Sequence, residues 1–125
     1  MNLSKEQKSA LIGMILGDGY LQKTGEKNSR LRLEHSLKQK EYLIWKVNLL
    51  PELFQGKPKI LERFHPISKK IYSYIRHQSN SSPDLGKLQK LFYPEGMKKI
   101  PANLSGLMGS DISLAIWYLD DGYYY

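Results

Sequence analysis

The sequence predicts an α+β domain: a twisted four-stranded antiparallel sheet backed by helices. Two apolar runs at helical spacing, residues 11–19 and 114–122, each close on Asp-Gly. Between them lie two pairs of segments in which apolar and polar residues alternate, the mark of half-buried strands. Capping residues and apolar stripes flank those pairs, so the order reads helix, hairpin, helix, hairpin, helix, helix.

Ser4-Lys5-Glu6-Gln7 reads as a capping box opening a helix that runs to about Gly17. Residues 20–24 form a first strand, turned at Gly25-Glu26-Lys27-Asn28, and residues 30–35 return. Tyr20, Gln22 and Thr24 share a polar face with Arg30, Arg32 and Glu34, whereas Leu31, Leu33 and His35 point the other way. Ser36-Leu37-Lys38-Gln39 reads as a second capping box, starting a helix to about Leu50. Tyr42, Leu43, Trp45, Lys46, Leu49 and Leu50 give its buried stripe, with Trp45 expected in the core. Pro51 stops that helix, and Phe54 packs beneath the turn at Gly56-Lys57-Pro58.

The second hairpin covers residues 59–65 and 71–78. Tyr72, Tyr74, Arg76 and Gln78 share one face of its return strand, suited to nucleic acid. Lys59, Arg63 and His65 are assigned to the same face, although their strand alternates less cleanly. His35, His65 and His77 lack metal-ligand spacing and are expected to be structural or to face nucleic acid. Ser82 caps a helix with Pro83 at its first position and Leu85, Leu88, Leu91 and Phe92 as its stripe. Pro94-Glu95-Gly96 ends it, and Ser110 or Asp111 caps the final helix.

Composition narrows the function. A chain of 125 residues with net charge +7 suits one domain with an anionic partner such as nucleic acid. It contains no cysteine, which excludes disulfides and thiolate zinc sites. Its longest apolar run is far short of a membrane span, and the polar residues 1–8 do not resemble a signal peptide. The expected location is the soluble interior of a cell, a bacterial or archaeal cytoplasm, or an organelle.

The paired Asp-Gly runs carry the chemistry. Gly13 and Gly17 lie four apart on one helix face, where each glycine costs about 1 kcal/mol relative to alanine. Close approach of a second backbone explains them, with Leu114 and Trp117 expected on the facing helix. Gly19 and Gly122 are expected to take left-handed caps beyond Asp18 and Asp121. Two carboxylates at helix C-termini oppose the helix dipoles and repel each other, so a divalent cation between them is implied.

These two runs resemble the nine-residue motif of the LAGLIDADG homing endonucleases, the second in its "LAxWYxDDG" variant, and the resemblance covers nearly the whole chain. It implies a saddle-shaped sheet with its strands in the DNA major groove and two motif helices packed side by side. It also implies a Mg2+-dependent, site-specific double-strand nuclease of intron or intein homing, with Mn2+ or Ca2+ able to occupy the same site. The metal set is then Asp18 and Asp121, with Gly17 and Asp120 as further candidates, Asp120 being secondary because it points elsewhere on its helix. Met97-Lys98-Lys99-Ile100-Pro101 resembles the family's "KKIP" segment, which makes Lys99 first and Lys98 second choice for a catalytic lysine. Gln39 completes the catalytic candidates. Tyr20, Gln22, Thr24, Arg30, Arg32, Glu34, Arg63, Tyr72, Tyr74, Arg76 and Gln78 are the DNA-binding candidates.

The motif pattern divides the chain into a half-domain over residues 1–109 and a second motif helix from residue 110, expected to open a further half-domain. A truncated chain, a split protein completed by another polypeptide and a decayed product all fit that division. The chain alone is therefore expected to cut poorly unless a second sheet is supplied. An intron RNA maturase, a non-cleaving DNA-binding module and a fragment that docks a partner are the alternative readings.

Overall fold

The computed structural model describes residues 2–109 and 111–122; the side chains of Ser105 and Asp121 lie outside what is described. The first helix, α1 (Lys5–Leu16), starts as its sequence dictates. The Gln7 amide donates to Ser4 Oγ at 3.0 Å, and Gln7 Oε1 accepts from the Ser4 amide at 2.9 Å. From Ser9 to Leu16 every residue of α1 is buried, with α4 and α5 packed against it.

Four strands follow: β1 (Tyr20–Lys23) and β2 (Ser29–Ser36), then β3 (Lys59–His65) and β4 (Lys70–Gln78). They form one antiparallel sheet in the order β1-β2-β4-β3. Between the hairpins lie a 3-10 turn over Leu37–Gln39 and α2 (Lys40–Leu49). After them come α3 (Pro83–Phe92), a short α4 (Leu104–Met108) that the sequence reading did not separate, and α5 (Asp111–Gly122). Helix α3 packs on β1 and β2, α2 packs on β2 and β4, and α1 packs on α5.

Register decides the two faces of the sheet. Tyr20 pairs with Arg32 and Arg32 with Gln78; Glu34 pairs with Arg76 and Arg76 with Lys59; Arg63 pairs with Tyr72 and His65 with Lys70. Paired residues share a face, so these side chains line one polar surface, Lys59, Arg63 and His65 among them. Leu21, Leu31, Leu33 and Ile75 occupy the other face and are buried against the helices. Thr24 falls just past β1, where its amide donates to Asn28 O in the turn.

The structure departs from the sequence pattern around α2 and α3. Ser36 accepts from the Lys38 amide and caps the 3-10 turn, so no capping box opens α2. Trp45 falls beside the buried line of Leu43, Lys46 and Leu50 and faces outward: it is 41% exposed and stacks on Tyr42, with ring centroids 5.9 Å apart. Lys46 takes the core position instead. In α3 the buried residues are Leu85, Gly86 and Phe92, while Leu91 is exposed. Tyr93, just beyond α3, is buried with its ring edge against Tyr20. Ser82 and Pro83 start α3 as expected, Ser82 Oγ accepting from the Leu85 amide at 3.1 Å. Ser110, one of the two cap candidates for α5, lies outside the described residues.

Candidate nuclease site at the helix crossing

The site is built where α1 and α5 cross. A Cβ on Gly13 would lie 2.6 Å from the carbonyl oxygen of Ser113, and one on Gly17 would lie 2.3 Å from an Asp120 carboxylate oxygen. Both glycines are therefore there for close approach, as their spacing implied. Ser9 Oγ and Ser113 Oγ, 2.6 Å apart, bind the helices at the buried end of this seam. The face that α5 turns inward carries Ser113, Ile116 and Asp120, all buried, with Trp117 partly buried. These positions recur at three- and four-residue steps, and Leu114 falls one place off that line. Leu114 is 59% exposed and takes no part in the seam, contrary to its expected role.

The end of α1 also differs from expectation. Gly19 is not left-handed; its amide donates to Met14 O at 2.7 Å, and a Cβ there would lie 2.4 Å from that oxygen. Gly19 is thus required by crowding. The tightened turn leaves the Asp18 side chain 32% exposed, lining a cleft of about 390 Å³ with Tyr20, Arg32, Glu34, His35, Ser36 and Tyr74. The cleft opens on the polar face of the sheet.

Asp120 is the residue the sequence reading misplaced. It points into the crossing and is 2% exposed. Its Oδ2 accepts from the Asp18 amide at 2.9 Å, and its Oδ1 accepts from Tyr42 at 2.6 Å and from Lys46 Nζ at 3.0 Å. Both oxygens thus accept from protein donors, which makes Asp120 an anchor of the α1 end. Burial lowers the Lys46 pKa, and the Asp120 charge opposes that shift. Burial, then the hydrogen bond to Asp120, raises the Tyr42 pKa and keeps that phenol protonated. The position of Lys46 in an apolar stripe is the signal the sequence offers: a lysine there needs a buried carboxylate.

His35 also comes to the site, although its spacing suggested otherwise. Its Nδ1 lies 3.7 Å from Asp18 Oδ2, and one ligand atom each from Asp18, His35 and Asp120 lies within 4.8 Å of the others. Burial, reinforced by the Lys46 charge, lowers the His35 pKa to about 4, so the ring is neutral at pH 7. Gln39 lies close enough to His35 to favour its charged form, against the larger effect of burial, which places it beside the site. His77 is buried against Phe54, and His65 lies on the polar face with its ring edge to Tyr72.

Of the two candidate lysines, Lys98 is the one placed beside Asp18. Lys98 Nζ donates to Gly17 O at 2.9 Å and Gly19 O at 3.0 Å, on either side of Asp18. Lys99 pairs with Glu95 at 3.7 Å. Because Gly17 O is engaged by Lys98, it is a weaker ligand candidate than Asp18. Asp121 lies in α5 one residue past Asp120, with its side chain outside the described residues.

The polar face is a connected array. Gln22 Oε1 accepts from Arg30 Nε at 2.9 Å and from Arg32 Nη2 at 3.1 Å. Glu34 Oε1 accepts from Arg63 at 2.7 Å and from Arg76 at 3.3 Å, and Arg63 lies 4.7 Å over the Tyr74 ring. Partial burial, then the charges of Arg76 and Arg30, lowers the Arg32 pKa. Clustered guanidinium groups of this kind form a surface that an anion relieves.

The α+β fold thus sets a close-packed helix pair, with Asp18 at its end, at the foot of a basic antiparallel sheet. The chain belongs to the LAGLIDADG DNA endonuclease family, whose sequence profile matches residues 8–125. It is 32% identical over 120 residues to the probable intron-encoded endonuclease 1 of Wickerhamomyces canadensis, covering 96% of this chain and 51% of that protein. It is 28% identical over 123 residues to the cytochrome b mRNA maturase bI2 of Debaryomyces hansenii, covering 96% of this chain and 47% of that one. A match to protein RecA of Mycobacterium gastri is 30% identical and covers 96% of this chain but 27% of that protein. The structure resembles the homing endonuclease I-WcaI bound to its DNA recognition sequence, with a TM-score of 0.84 and 30% identity. That match covers 97% of this chain and 53% of the other. The chain thus spans about half the length of its endonuclease relatives. No helix among the described residues is long and apolar enough to cross a membrane.

Proposed function

We propose that this chain carries one DNA-binding half of a site-specific double-strand endonuclease together with the helix pair that holds its catalytic aspartates. The observation that carries this is the position of Asp18: a partly exposed carboxylate, fixed by the helix crossing, at the foot of the arginine-rich sheet face. A duplex laid on that face would bring a phosphate to Asp18. Arg30, Arg32, Arg63 and Arg76 would contact phosphates and base edges, Gln22 and Gln78 would offer amide pairs to bases, and Tyr72 and Tyr74 would pack beside them.

Asp18 fits a hard divalent cation, since it offers carboxylate oxygen at an open cleft; Asp121 is the second ligand we assign, and Mg2+ the cation. When bound, such an ion supplies an acidified water and stabilises the leaving 3′ oxygen of an in-line phosphodiester hydrolysis. The chain's own part is positional. Asp120 holds the Asp18 amide, and Lys98 clamps the carbonyls on either side of Asp18 while placing a positive charge beside the cleft. His35 shields the inner side as a neutral ring.

Since the chain matches about half of its DNA-bound structural relative, we assign the other half of the DNA-binding surface to a second half-domain or a partner polypeptide. An intron RNA substrate is the second reading, favoured by the match to a maturase along nearly the whole chain. It needs the basic face but not the metal. The test is Mg2+-dependent cleavage of a randomised duplex library, with Asp18→Asn as control. Cutting at a long, unique site that Asp18→Asn abolishes supports the nuclease. Specific RNA binding without DNA cleavage, unchanged in Asp18→Asn, favours the maturase. Robust cleavage by the purified chain as a monomer would overturn the need for a second half.

A further inference from the structure

We propose that Lys46 is a positioning residue for Asp18, acting from α2 through Asp120. This rests on the nuclease reading above and extends it to a residue outside the two motif helices. Lys46 is 0% exposed, an unusual place for a lysine, and its ammonium reaches across to a carboxylate on α5. Tyr42, one turn earlier on α2, donates to the same Asp120 oxygen, and Lys46 Nζ lies 4.6 Å over the Tyr42 ring. With Oδ1 held by two donors from α2, the carboxylate presents Oδ2 to the Asp18 amide.

Three elements thus meet at one carboxylate. Helix α5 supplies it, α2 orients it, and the end of α1 reads the orientation through the Asp18 backbone N–H. Gly17 lets this happen, because any side chain there would displace Asp120. A charge pair that only filled space would need no such relay. A buried ion pair is commonly no more stable than a matched apolar pair, so stability alone gives weak reason for a lysine here. The adjacent aspartates Asp120 and Asp121 then divide the work: Asp120 builds the junction, and Asp121 is left for the metal.

The test is a double-mutant cycle of Lys46→Met, Asp120→Leu and the pair, on the full chain. It reads thermal stability, hydrogen exchange of the Asp18 amide, and affinity for Mn2+ as the metal probe. Lys46→Met should lower Tm by about 10 °C or more, because Asp120 is left buried without its cation. It should also speed Asp18 amide exchange and weaken Mn2+ binding, each by about tenfold or more. Lys46→Met/Asp120→Leu should recover most of the lost stability while Asp18 exchange and Mn2+ binding stay impaired. In the Asp120→Leu background, Lys46→Met should have no further effect on either readout. Should Lys46→Met not fold, Tyr42→Phe removes one donor and keeps the charge pair; a few-fold acceleration of Asp18 exchange is then expected. The proposal is overturned if Asp18 exchange and Mn2+ affinity stay at wild-type levels in the single variants. It is equally overturned if the Lys46→Met effects persist undiminished without Asp120. A wild-type chain that binds no Mn2+ counts against the metal site itself, and the amide-exchange arm, which needs no metal, still decides the role of Lys46.

Discussion

At the scale of single residues, the candidate site is governed by what burial does to charge. His35 is 5% exposed and faces Asp18, Asp120 and Lys46, with Gln39 and Glu34 nearby. Its pKa falls from an ordinary 6.5 to about 4, because burial and the Lys46 charge outweigh the carboxylates. Between those values the unfolded chain binds a proton that the folded chain does not. The neutral ring's contribution is therefore complete above about pH 6.5 and is lost as the pH falls toward 4. Urea unfolding measured from pH 7 to pH 4 should show that loss, of order 1–3 kcal/mol, and His35→Gln should flatten it. Equal acid sensitivity in both proteins would show that His35 binds its proton alike in the native and unfolded states. Asp18, by contrast, keeps a partly exposed carboxylate because the crowded Gly19 turn holds it at the cleft.

At the scale of elements, the seam between α1 and α5 is the most exacting contact. Gly13 meets the Ser113 backbone and Gly17 meets Asp120, so neither position has room for a methyl group. Gly13→Ala should destabilise the chain by about 1–3 kcal/mol despite the better helix propensity of alanine, since backbone atoms cannot yield as a flexible side chain can. A thermal melt checks this, and a rise in Tm would mean that the helices slide apart at little cost. Helix α2 shows how a local signal misleads. Its apolar stripe was legible but drawn too wide: Leu43, Lys46 and Leu50 form the buried line, and Trp45 beside it faces outside. The sheet was more legible, because a two-residue period leaves little freedom once one face is apolar.

At the scale of the whole molecule, a net charge of +7 and an arginine-rich sheet face make binding strongly dependent on salt. Duplex affinity should fall by more than about tenfold between 50 and 200 mM salt. Replacing Arg63 and Arg76 together by alanine should reduce the slope of log K against log salt by about 1–2, as expected if both meet phosphates. An unchanged slope with relaxed sequence preference would assign them to base edges instead. Glu34 ties both arginines in the free protein, so that bond must be exchanged or shared when DNA binds.

The α+β class, the two hairpins, the polar sheet face and the close-packed motif helices were determined by sequence alone. Each rests on a short-range rule: strand period, capping residues, or glycines four apart. Which aspartate builds the junction, which lysine flanks Asp18, and the presence of His35, Tyr42 and Lys46 at the crossing were decided only by tertiary structure. Those assignments depend on where α2, β2 and the segment after α3 meet the ends of α1 and α5. A buried charge takes its place from a partner distant in the chain: Lys46 is explained by Asp120, and no local pattern connects the two.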